Sequence, residues 1–176
     1  ITQIARFENF IDNDAPLSEV LPDLYMAYKD RYKDYTIRQL CQEMHDFYKS
    51  HDIKGLQKAM FRKEHFPKRV LNAQDANYEF IRNNVELVRL SEAEGRVGVE
   101  GALPYPPGVL CLVPGEVWGG SVLQYFLALE EGINLFPGFA PELQGVYIEE
   151  DENGRKAAWA NVLTREREAE LGISAR

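Results

Sequence analysis

The sequence predicts an α+β fold, with N-terminal helices followed by a mixed β-sheet with packed helices. Three observations predict it. Apolar residues recur at helical spacing in the first seventy residues, β-branched and aliphatic residues alternate from Val85 onward, and one long apolar helix pattern lies among the later strands. We therefore divide the chain into a helical segment, residues 1–70, and an α+β segment, residues 71–176, that together form one compact unit.

Composition places the chain among folded globular proteins. It has 176 residues, of which 45% are hydrophobic and 27% charged, and its net charge of −8 argues against binding to nucleic acid or to an anionic membrane. No apolar run approaches the roughly 20 residues that cross a bilayer. A cytoplasmic location is the default expectation. Cys41 and Cys111 lie among apolar neighbours, which predicts buried, reduced thiols.

Four helices are predicted before the first strand. An apolar pattern is already under way at Ile1, without an initiator methionine, so we interpret the chain as a segment of a longer polypeptide. Thr36 is a predicted cap for a helix that buries one stripe, and Asp52 is a predicted cap for a helix over 53–61. The fourth helix is expected over 75–82. The stripe after Thr36 consists of Ile37, Leu40, Cys41, Met44 and Tyr48.

Strand patterns dominate after residue 84. Residues 85–90 and 96–100 predict a hairpin that turns at Gly95, and 109–113, apolar on both faces, predicts a central strand. A helix over 118–131 is expected to end at Gly132. Two further segments, 145–150 and 155–163, flank an Asn153-Gly154 pair that predicts a second hairpin. The charged tail from Thr164 is expected to fray or to pack at the periphery.

Several kinds of chemistry find no support in the motifs. The histidines at 45, 51 and 65 lack metal-ligand spacing, so no metal site is predicted. The glycines of EGRVGVEG do not follow a phosphate-binding pattern, and no nucleophile elbow is present. The acidic pairs Glu130/Glu131 and Glu149/Glu150 are expected on solvated edges.

The segment GALPYPPGVLCLVPGEVWGG, residues 101–120, is the most distinctive part of the sequence. It holds four prolines and five glycines around an apolar stretch, and such residues restrict the backbone at turns. Glu116 is its only carboxylate, two residues before Trp118. This carboxylate has two interpretations: it stabilises the turn and the start of the next helix, or it belongs to a pocket or an interface.

This segment, together with RNNVELVRLSEAEGRVGVEGALPYPPG and LFPGFAPELQGVY, resembles the C-terminal domain of the bacterial ornithine/lysine/arginine decarboxylases. Those are large pyridoxal-phosphate enzymes of the aspartate-aminotransferase fold. YPPGVLCLVPGEVWGG and YFLALEEGINLFPGF are most similar to the inducible or biosynthetic ornithine type. The helical stretches DYTIRQLCQEMHDFY and LQKAMFRKEHFP extend the resemblance over nearly the whole chain.

The resemblance implies that the complete enzyme converts L-ornithine to putrescine and CO₂ in polyamine biosynthesis or the response to acid. It implies pyridoxal 5'-phosphate held by a lysine in a Ser-x-His-Lys motif, and no lysine here follows a histidine. We therefore expect no catalytic or cofactor-binding residue in this chain. The expected partners are the PLP-binding and N-terminal domains of the same polypeptide, a homodimer and a higher ring assembly.

The resemblance also suggests a role for this domain in the subunit interface and in the walls of the substrate channel. The candidate residues for those walls are Tyr105, Pro106, Pro107 and Gly108, which set the shape, Glu116 as a polar contact, and Trp118. Residues 101–176 hold 11 acidic against 5 basic residues, so Glu116 and the cluster 149–152 are candidates to attract a cationic substrate. The alternative is a stand-alone decarboxylase-like module for binding or assembly, without enzymatic activity.

Overall fold

A computed structural model of the chain describes residues 2–105 and 108–173. The fold mixes helices and antiparallel sheet, as the α+β prediction requires. The chain divides into two compact units. The helical unit contains the residues up to Asp52 together with Phe136–Phe139, and the sheet unit contains Ile53–Leu135 and the chain from Ala140 onward. The division predicted at residue 70 stays a prediction.

Among its described residues the helical unit has five α-helices, and a short segment from far along the chain completes its core. The Phe136 ring lies 5.5 Å from the Phe47 ring, and the Tyr32 hydroxyl donates a 2.8 Å hydrogen bond to the Pro137 carbonyl. The helices are α1 (Thr2–Asp12), α2 (Leu17–Val20), α3 (Pro22–Ala27), α4 (Lys29–Tyr32) and α5 (Ile37–Ser50).

The start of α5 confirms the predicted cap. The Thr36 hydroxyl accepts the Gln39 N–H at 3.3 Å and the Gln39 side chain accepts the Thr36 N–H at 2.9 Å, which is a capping box. The predicted stripe is partly wrong, because Tyr48 is 46% exposed and Cys41 is exposed. The buried face is rotated toward Phe47, which packs on Phe136.

The described part of the sheet unit has four further α-helices and five strands. They are α6 (Ile53–Ala59), α7 (Ala73–Ile81), β1 (Val85–Arg89), β2 (Leu103–Tyr105), α8 (Gly120–Leu135), β3 (Glu142–Gln144), β4 (Tyr147–Glu150), β5 (Lys156–Leu163) and α9 (Arg165–Glu170), with 3-10 turns at Lys63–His65 and Leu90–Glu92. One sheet has the order β1-β5-β4 and the other pairs β2 with β3, all antiparallel.

The core of the sheet unit lies between α8 and one face of β5. Val122, Phe126 and Trp118 are buried with Ala158, Ala160 and Val162 in one apolar cluster. The small alanines of β5 let the aromatic residues of the α8 region approach the sheet closely. This packing explains why α8, which has few charged residues, is stable between the sheet and the rest of the core.

The hairpin expected from 85–90 and 96–100 is wrong. β1 pairs with β5 along its whole length, from Val85 opposite Leu163 to Arg89 opposite Trp159. Residues 96–100 make only isolated bridges, such as Val97 with Val117. The chain does turn at Glu94–Gly95, where Gly95 has a φ of 77°, but it turns after a 3-10 turn at Leu90–Glu92 and not between two paired strands.

The central strand expected over 109–113 is also wrong. The segment makes a single bridge, in which the N–H groups of Cys111 and Leu112 both donate to the Ala102 carbonyl. Cys111 and Leu112 are buried, but Val109 and Leu110 are exposed. An apolar run flanked by glycine and proline turns here is a loop with two anchoring side chains.

In the last third of the chain the structure confirms the second predicted hairpin. The predicted end of α8 and the predicted fraying of the tail are wrong. β4 and β5 pair across the Asn153-Gly154 turn, where Gly154 has a φ of 78°. α8 continues through Gly132 to Leu135, because Ile133 is buried and the helix stops only before Pro137. The tail does not fray at Thr164, which caps α9 through the Arg167 N–H.

Three predicted helices begin or end a few residues away from their predicted positions. α6 ends at Ala59 instead of Phe61, and α7 covers Ala73–Ile81 instead of 75–82. α8 begins two residues later than 118–131 predicts. No helix in the described parts of the chain is long and apolar enough to cross a membrane.

Candidate functional site

The Pro-Gly-Glu segment forms a closed turn over residues 113–116. The Glu116 N–H donates to the Val113 carbonyl at 3.0 Å, and the Glu116 carboxylate accepts the Val113 N–H at 2.8 Å. The half-buried carboxylate therefore bonds to the turn in which it lies. This contact matches the first of the two interpretations of Glu116.

The turn is fastened to two neighbouring segments. Gly115 donates its N–H to the Gly98 carbonyl at 2.8 Å and accepts the N–H groups of Val70 and Leu71 at 2.9 and 3.1 Å. Gly115 has a φ of 89°, and a Cβ there would lie 2.5 Å from the Leu71 carbonyl oxygen. Only glycine combines this conformation with this close approach.

Trp118 lies in the core directly after that turn. Trp118 is fully buried, and its ring contacts Phe126 edge-on with the ring centroids 5.5 Å apart. Its backbone N–H donates to the Arg96 carbonyl at 2.8 Å. Among the described residues its indole Nε1 has no hydrogen-bond partner, and it lies beside Gly98. Trp118 also borders a cleft of about 600 Å³ near the start of α8.

Tyr105 and Gly108 form an exposed turn at the end of β2. Tyr105 is 54% exposed, and Gly108, with a φ of 76°, donates its N–H to the Pro104 carbonyl at 3.0 Å. A Cβ at Gly108 would lie 3.1 Å from the Tyr105 ring, so the ring covers the glycine. Pro106 and Pro107 lie outside the described residues.

The candidate residues thus lie in two places. Glu116 and Trp118 anchor the body of the sheet unit, whereas Tyr105 and Gly108 are presented at its surface. A smaller apolar cleft of about 260 Å³ is lined by Pro104 and Val109, the residues on either side of this exposed turn. That cleft is lined by Gln57, Met60, Phe61, Pro104, Val109, Cys111 and Tyr125.

The apolar cleft has one polar contact at its wall and one buried thiol. Gln57 donates from its side-chain amide to the Tyr125 hydroxyl at 3.0 Å. Burial raises the pKa of the Cys111 thiol to about 11, so the thiol stays protonated at neutral pH. The prediction of burial is confirmed for Cys111 and wrong for Cys41.

Two ion-pair groups that no sequence motif indicated hold α9. Glu168 is buried and lies 3.4 Å from the Arg96 side chain, which also bonds to Glu86 and to the Leu163 carbonyl. Arg167 forms two hydrogen bonds, at 2.8 and 2.9 Å, to the buried Glu79 carboxylate.

These contacts lower the pKa of Glu79 from its usual 4.5 to about 2, mainly through the Arg167 hydrogen bonds. The charge pattern of the tail offered one usable signal, since Arg165–Glu168 and Arg167–Glu170 are spaced as helical neighbours. It could not show that the partner of Arg167 would be Glu79, which is 88 residues away.

The acidic pairs have different environments. Glu149 and Glu150 are exposed on β4, as predicted, beside a cleft of about 570 Å³ that Arg89 and Arg155 also line. Glu130 is half-buried instead, because its carboxylate accepts the Ala158 N–H at 3.1 Å. A role of the acidic residues in attracting substrate stays a prediction.

The lysines of the chain do not fit a covalently held aldehyde cofactor. All eight are described, and seven are exposed while Lys156 is half-buried. A lysine that forms a Schiff base is activated by desolvation in a closed pocket or by a neighbouring cation. Within the described ranges, no group of three histidine, cysteine or acidic side chains is arranged to hold a metal ion.

Comparison with known proteins identifies the class of domain. Residues 54–164 match the family described as Orn/Lys/Arg decarboxylase, C-terminal domain. The chain belongs to this family, and the match covers most of the sheet unit and ends just before α9.

Individual relatives refine that assignment. The chain is 64% identical over 163 residues to the inducible ornithine decarboxylase of Escherichia coli and 62% identical over 164 residues to the ornithine decarboxylase of Haemophilus influenzae. These matches cover 93% of this chain but only 22% and 23% of the relatives. The solved structure of lysine decarboxylase A from Pseudomonas aeruginosa superimposes with a TM-score of 0.84 at 27% identity, over 93% of this chain and 22% of that one.

Proposed function

We propose that this chain is the C-terminal domain of a pyridoxal-phosphate-dependent L-ornithine decarboxylase, which releases CO₂ and yields putrescine. The observation that carries the proposal is the gradient of similarity. Identity to two ornithine decarboxylases is 64% and 62%, against 35% to the lysine decarboxylase of Hafnia alvei. Differences this large within one fold support ornithine as the substrate of the complete enzyme.

The cofactor, in this proposal, binds to other parts of the enzyme. Pyridoxal phosphate supplies an electron sink for decarboxylation when it is bound. The exposed lysines here do not suit it, so we expect the 176-residue chain to acquire no covalent pyridoxyl group. Incubation with the cofactor, borohydride reduction and mass spectrometry measure this directly. A pyridoxylated lysine at one defined position would favour an enzymatic site within the chain itself.

The domain's own contribution is to wall the substrate channel and to cover partner surfaces. Tyr105 offers an exposed aromatic ring, and the sequence of Pro106, Pro107 and Gly108 that follows it restricts the backbone; these four residues are the proposed shape-setting residues of the wall. Glu116 holds the neighbouring turn, and Trp118 fixes it to the core. A rigid apolar wall excludes water from a channel and so strengthens the electrostatic interactions inside it. The proposed partners are the remaining domains of the enzyme, a second subunit and a higher ring assembly.

The role of the exposed turn is tested in the complete decarboxylase. Replacing Tyr105 by alanine is expected to raise the KM for ornithine by about threefold to tenfold, the effect of one lost apolar contact, with a smaller change in kcat. Tyr78→Ala is the matched control, because Tyr78 is 44% exposed on α7, away from this turn. Equal kinetics for both variants in a CO₂-release assay would contradict a channel role for Tyr105.

A further inference from the structure

The turn between β4 and β5 contains the one asparagine of the sequence that precedes a glycine. Asn153 and Gly154 are both exposed there, and Gly154 has a φ of 78°. The Asn153 side-chain amide forms no hydrogen bond to any described residue. A side-chain amide is open to attack by the backbone nitrogen of the next residue, and glycine, which has no Cβ, hinders that approach least. The sequence therefore makes Asn153 the asparagine most open to this reaction.

Asp151 accepts hydrogen bonds from three successive N–H groups of the turn. Its carboxylate Oδ1 accepts the N–H groups of Asn153 and Arg155 at 2.9 and 2.8 Å, and its carbonyl accepts the Gly154 N–H at 2.9 Å. Its own N–H donates to the Arg155 carbonyl at 2.8 Å. Because the Gly154 nitrogen must lose its proton before it attacks, its hydrogen bond to Asp151 must break first.

The charges around the turn oppose the same reaction. Glu149, Glu150, Asp151 and Glu152 are exposed carboxylates that immediately precede Asn153. The attacking nitrogen becomes an anion when it loses its proton, and neighbouring negative charges make an anion less stable. The turn thus holds a labile dipeptide in an arrangement that slows its chemistry.

We propose that Asn153 is a site of spontaneous deamidation and that the Asp151 carboxylate controls the rate. The deprotonated Gly154 nitrogen attacks Cγ of Asn153, and the bond from Cγ to the amide nitrogen breaks. Ammonia leaves with the proton that Gly154 lost to solvent, and a five-membered succinimide ring remains. Water then adds to either ring carbonyl and opens the ring, which leaves aspartate or isoaspartate at position 153. The overall reaction consumes water and releases ammonia, without oxidation or reduction.

The products change both the charge and the length of the turn. Either product adds a carboxylate beside the cluster 149–152, and isoaspartate adds a methylene to the backbone. β4 and β5 pair directly beyond the turn, with Glu150 opposite Lys156, and the geometry of the turn sets the register of a hairpin. We expect isoaspartate to loosen this end of the pairing. The inference requires only the hairpin and is independent of ornithine decarboxylation.

Ageing the folded 176-residue chain at mildly alkaline pH tests the proposal. Peptide mapping by mass spectrometry measures aspartate and isoaspartate at every asparagine, and a synthetic peptide of residues 147–160 gives the rate without the folded hairpin. We expect Asn153 to deamidate faster than every other asparagine of the chain. We also expect its rate in the chain to be at least about tenfold lower than in the peptide, since the hydrogen bonds of the turn must break first.

Three variants isolate the role of Asp151. Asp151→Ala removes both side-chain hydrogen bonds and is expected to speed deamidation of Asn153 by about fivefold. Asp151→Asn loses the same charge but keeps an oxygen acceptor, so its rate should stay within about twofold of the original. Glu152→Ala is the matched control, because it removes a carboxylate beside Asn153 that accepts no hydrogen bond from a described residue. Thermal unfolding verifies that the variants remain folded.

The proposal has two independent points of failure. An aged chain in which Asn153 is modified no more than the other asparagines overturns it, as does a rate in the folded chain equal to that in the peptide. Neither measurement depends on a variant. Equal rates for Asp151→Ala and for either of the other two variants overturn the assignment of rate control to the Asp151 carboxylate.

Discussion

In the turn at residues 113–116, Gly115 combines a backbone conformation and a close backbone contact that other residues do not allow. Gly115 adopts a positive φ while its carbonyl accepts two N–H groups from the segment at Val70 and Leu71. Glu116 adds a side-chain hydrogen bond that closes the same turn. The distinctive Pro-Gly-Glu motif is thus explained by local geometry before any role in a channel is considered.

Replacing Gly115 by alanine separates backbone strain from steric conflict. Positive φ alone costs an L-residue about 1 kcal/mol, and the 2.5 Å approach to the Leu71 carbonyl oxygen raises the expected loss of unfolding free energy to about 3 kcal/mol. Gly95→Ala is the control, since Gly95 has a φ of 77° and nothing within 4 Å of a Cβ. Equal destabilisation of both variants in urea denaturation would show that the contact with Leu71 is unimportant.

At the scale of elements, α9 depends on side chains from distant parts of the chain. Six residues are too few to form a stable helix alone, so its stability must come from the Thr164 cap and from tertiary contacts. Arg167 bonds to Glu79 of α7, and Glu168 bonds to Arg96. These buried pairs hold the last described helix against the β1-β5 end of the sheet unit.

The pH dependence of this contact has a definite sign. Because the pKa of Glu79 is lowered from 4.5 to about 2 in the folded state, its charged form stabilises the fold above pH 4.5. That contribution declines as the pH falls from 4.5 toward 2. Glu79→Gln is expected to cost about 2 kcal/mol near neutral pH and to remove this part of the acid sensitivity.

Denaturant unfolding at several pH values measures the Glu79 effect. Glu152→Gln, at an exposed loop position, is the matched control and should leave both the free energy and its pH dependence nearly unchanged. A Glu79→Gln variant whose stability falls with pH as steeply as that of the original chain would contradict the assignment.

At the scale of the whole molecule, sequence order and compact units do not coincide. Phe136–Phe139 follows α8 directly in sequence but packs with the helical unit. The Phe47 and Phe136 rings meet edge-on, and Tyr32 bonds to the Pro137 carbonyl. The core of the helical unit is therefore completed by four residues that lie more than eighty positions further along the chain.

Phe47→Ala tests this long-range packing. Removing a buried aromatic ring is expected to cost about 3 kcal/mol or more, and hydrogen exchange should accelerate both in α5 and in 136–139. Tyr48→Ala is the control, because the neighbouring Tyr48 ring is largely exposed. Unchanged exchange in 136–139 would show that Phe47 does not hold that segment in solution.

Local patterns predicted local structure well. The Thr36 cap, the helix after it, the helix before β1 and the Asn153-Gly154 hairpin depend on residues close in sequence, and all were found. Two errors have the same form. The apolar runs at 96–100 and 109–113 have the composition of strands, but they make isolated bridges, such as Gly98 with Val162 of β5 and Leu112 with Ala102, instead of extended ladders.

In the candidate site, too, local structure was predictable and burial was not. The turns around Tyr105 and Glu116 were predictable, because proline and glycine act on their immediate backbone. The sequence did not predict that Tyr105 is exposed whereas Glu116 is half-buried, because burial depends on which distant segments cover a turn. The Glu79–Arg167 pair escaped prediction for that reason too.

The sequence by itself determined the α+β class, the main helix starts and the decarboxylase C-terminal family, because propensities, caps and long motifs are properties of neighbouring residues. Only the tertiary structure decided the partner of β1, the burial of Glu79 and Glu168, and the membership of 136–139 in the helical unit. Those outcomes depend on competition between distant segments for the same backbone groups and the same core, and no local pattern records which segment is buried.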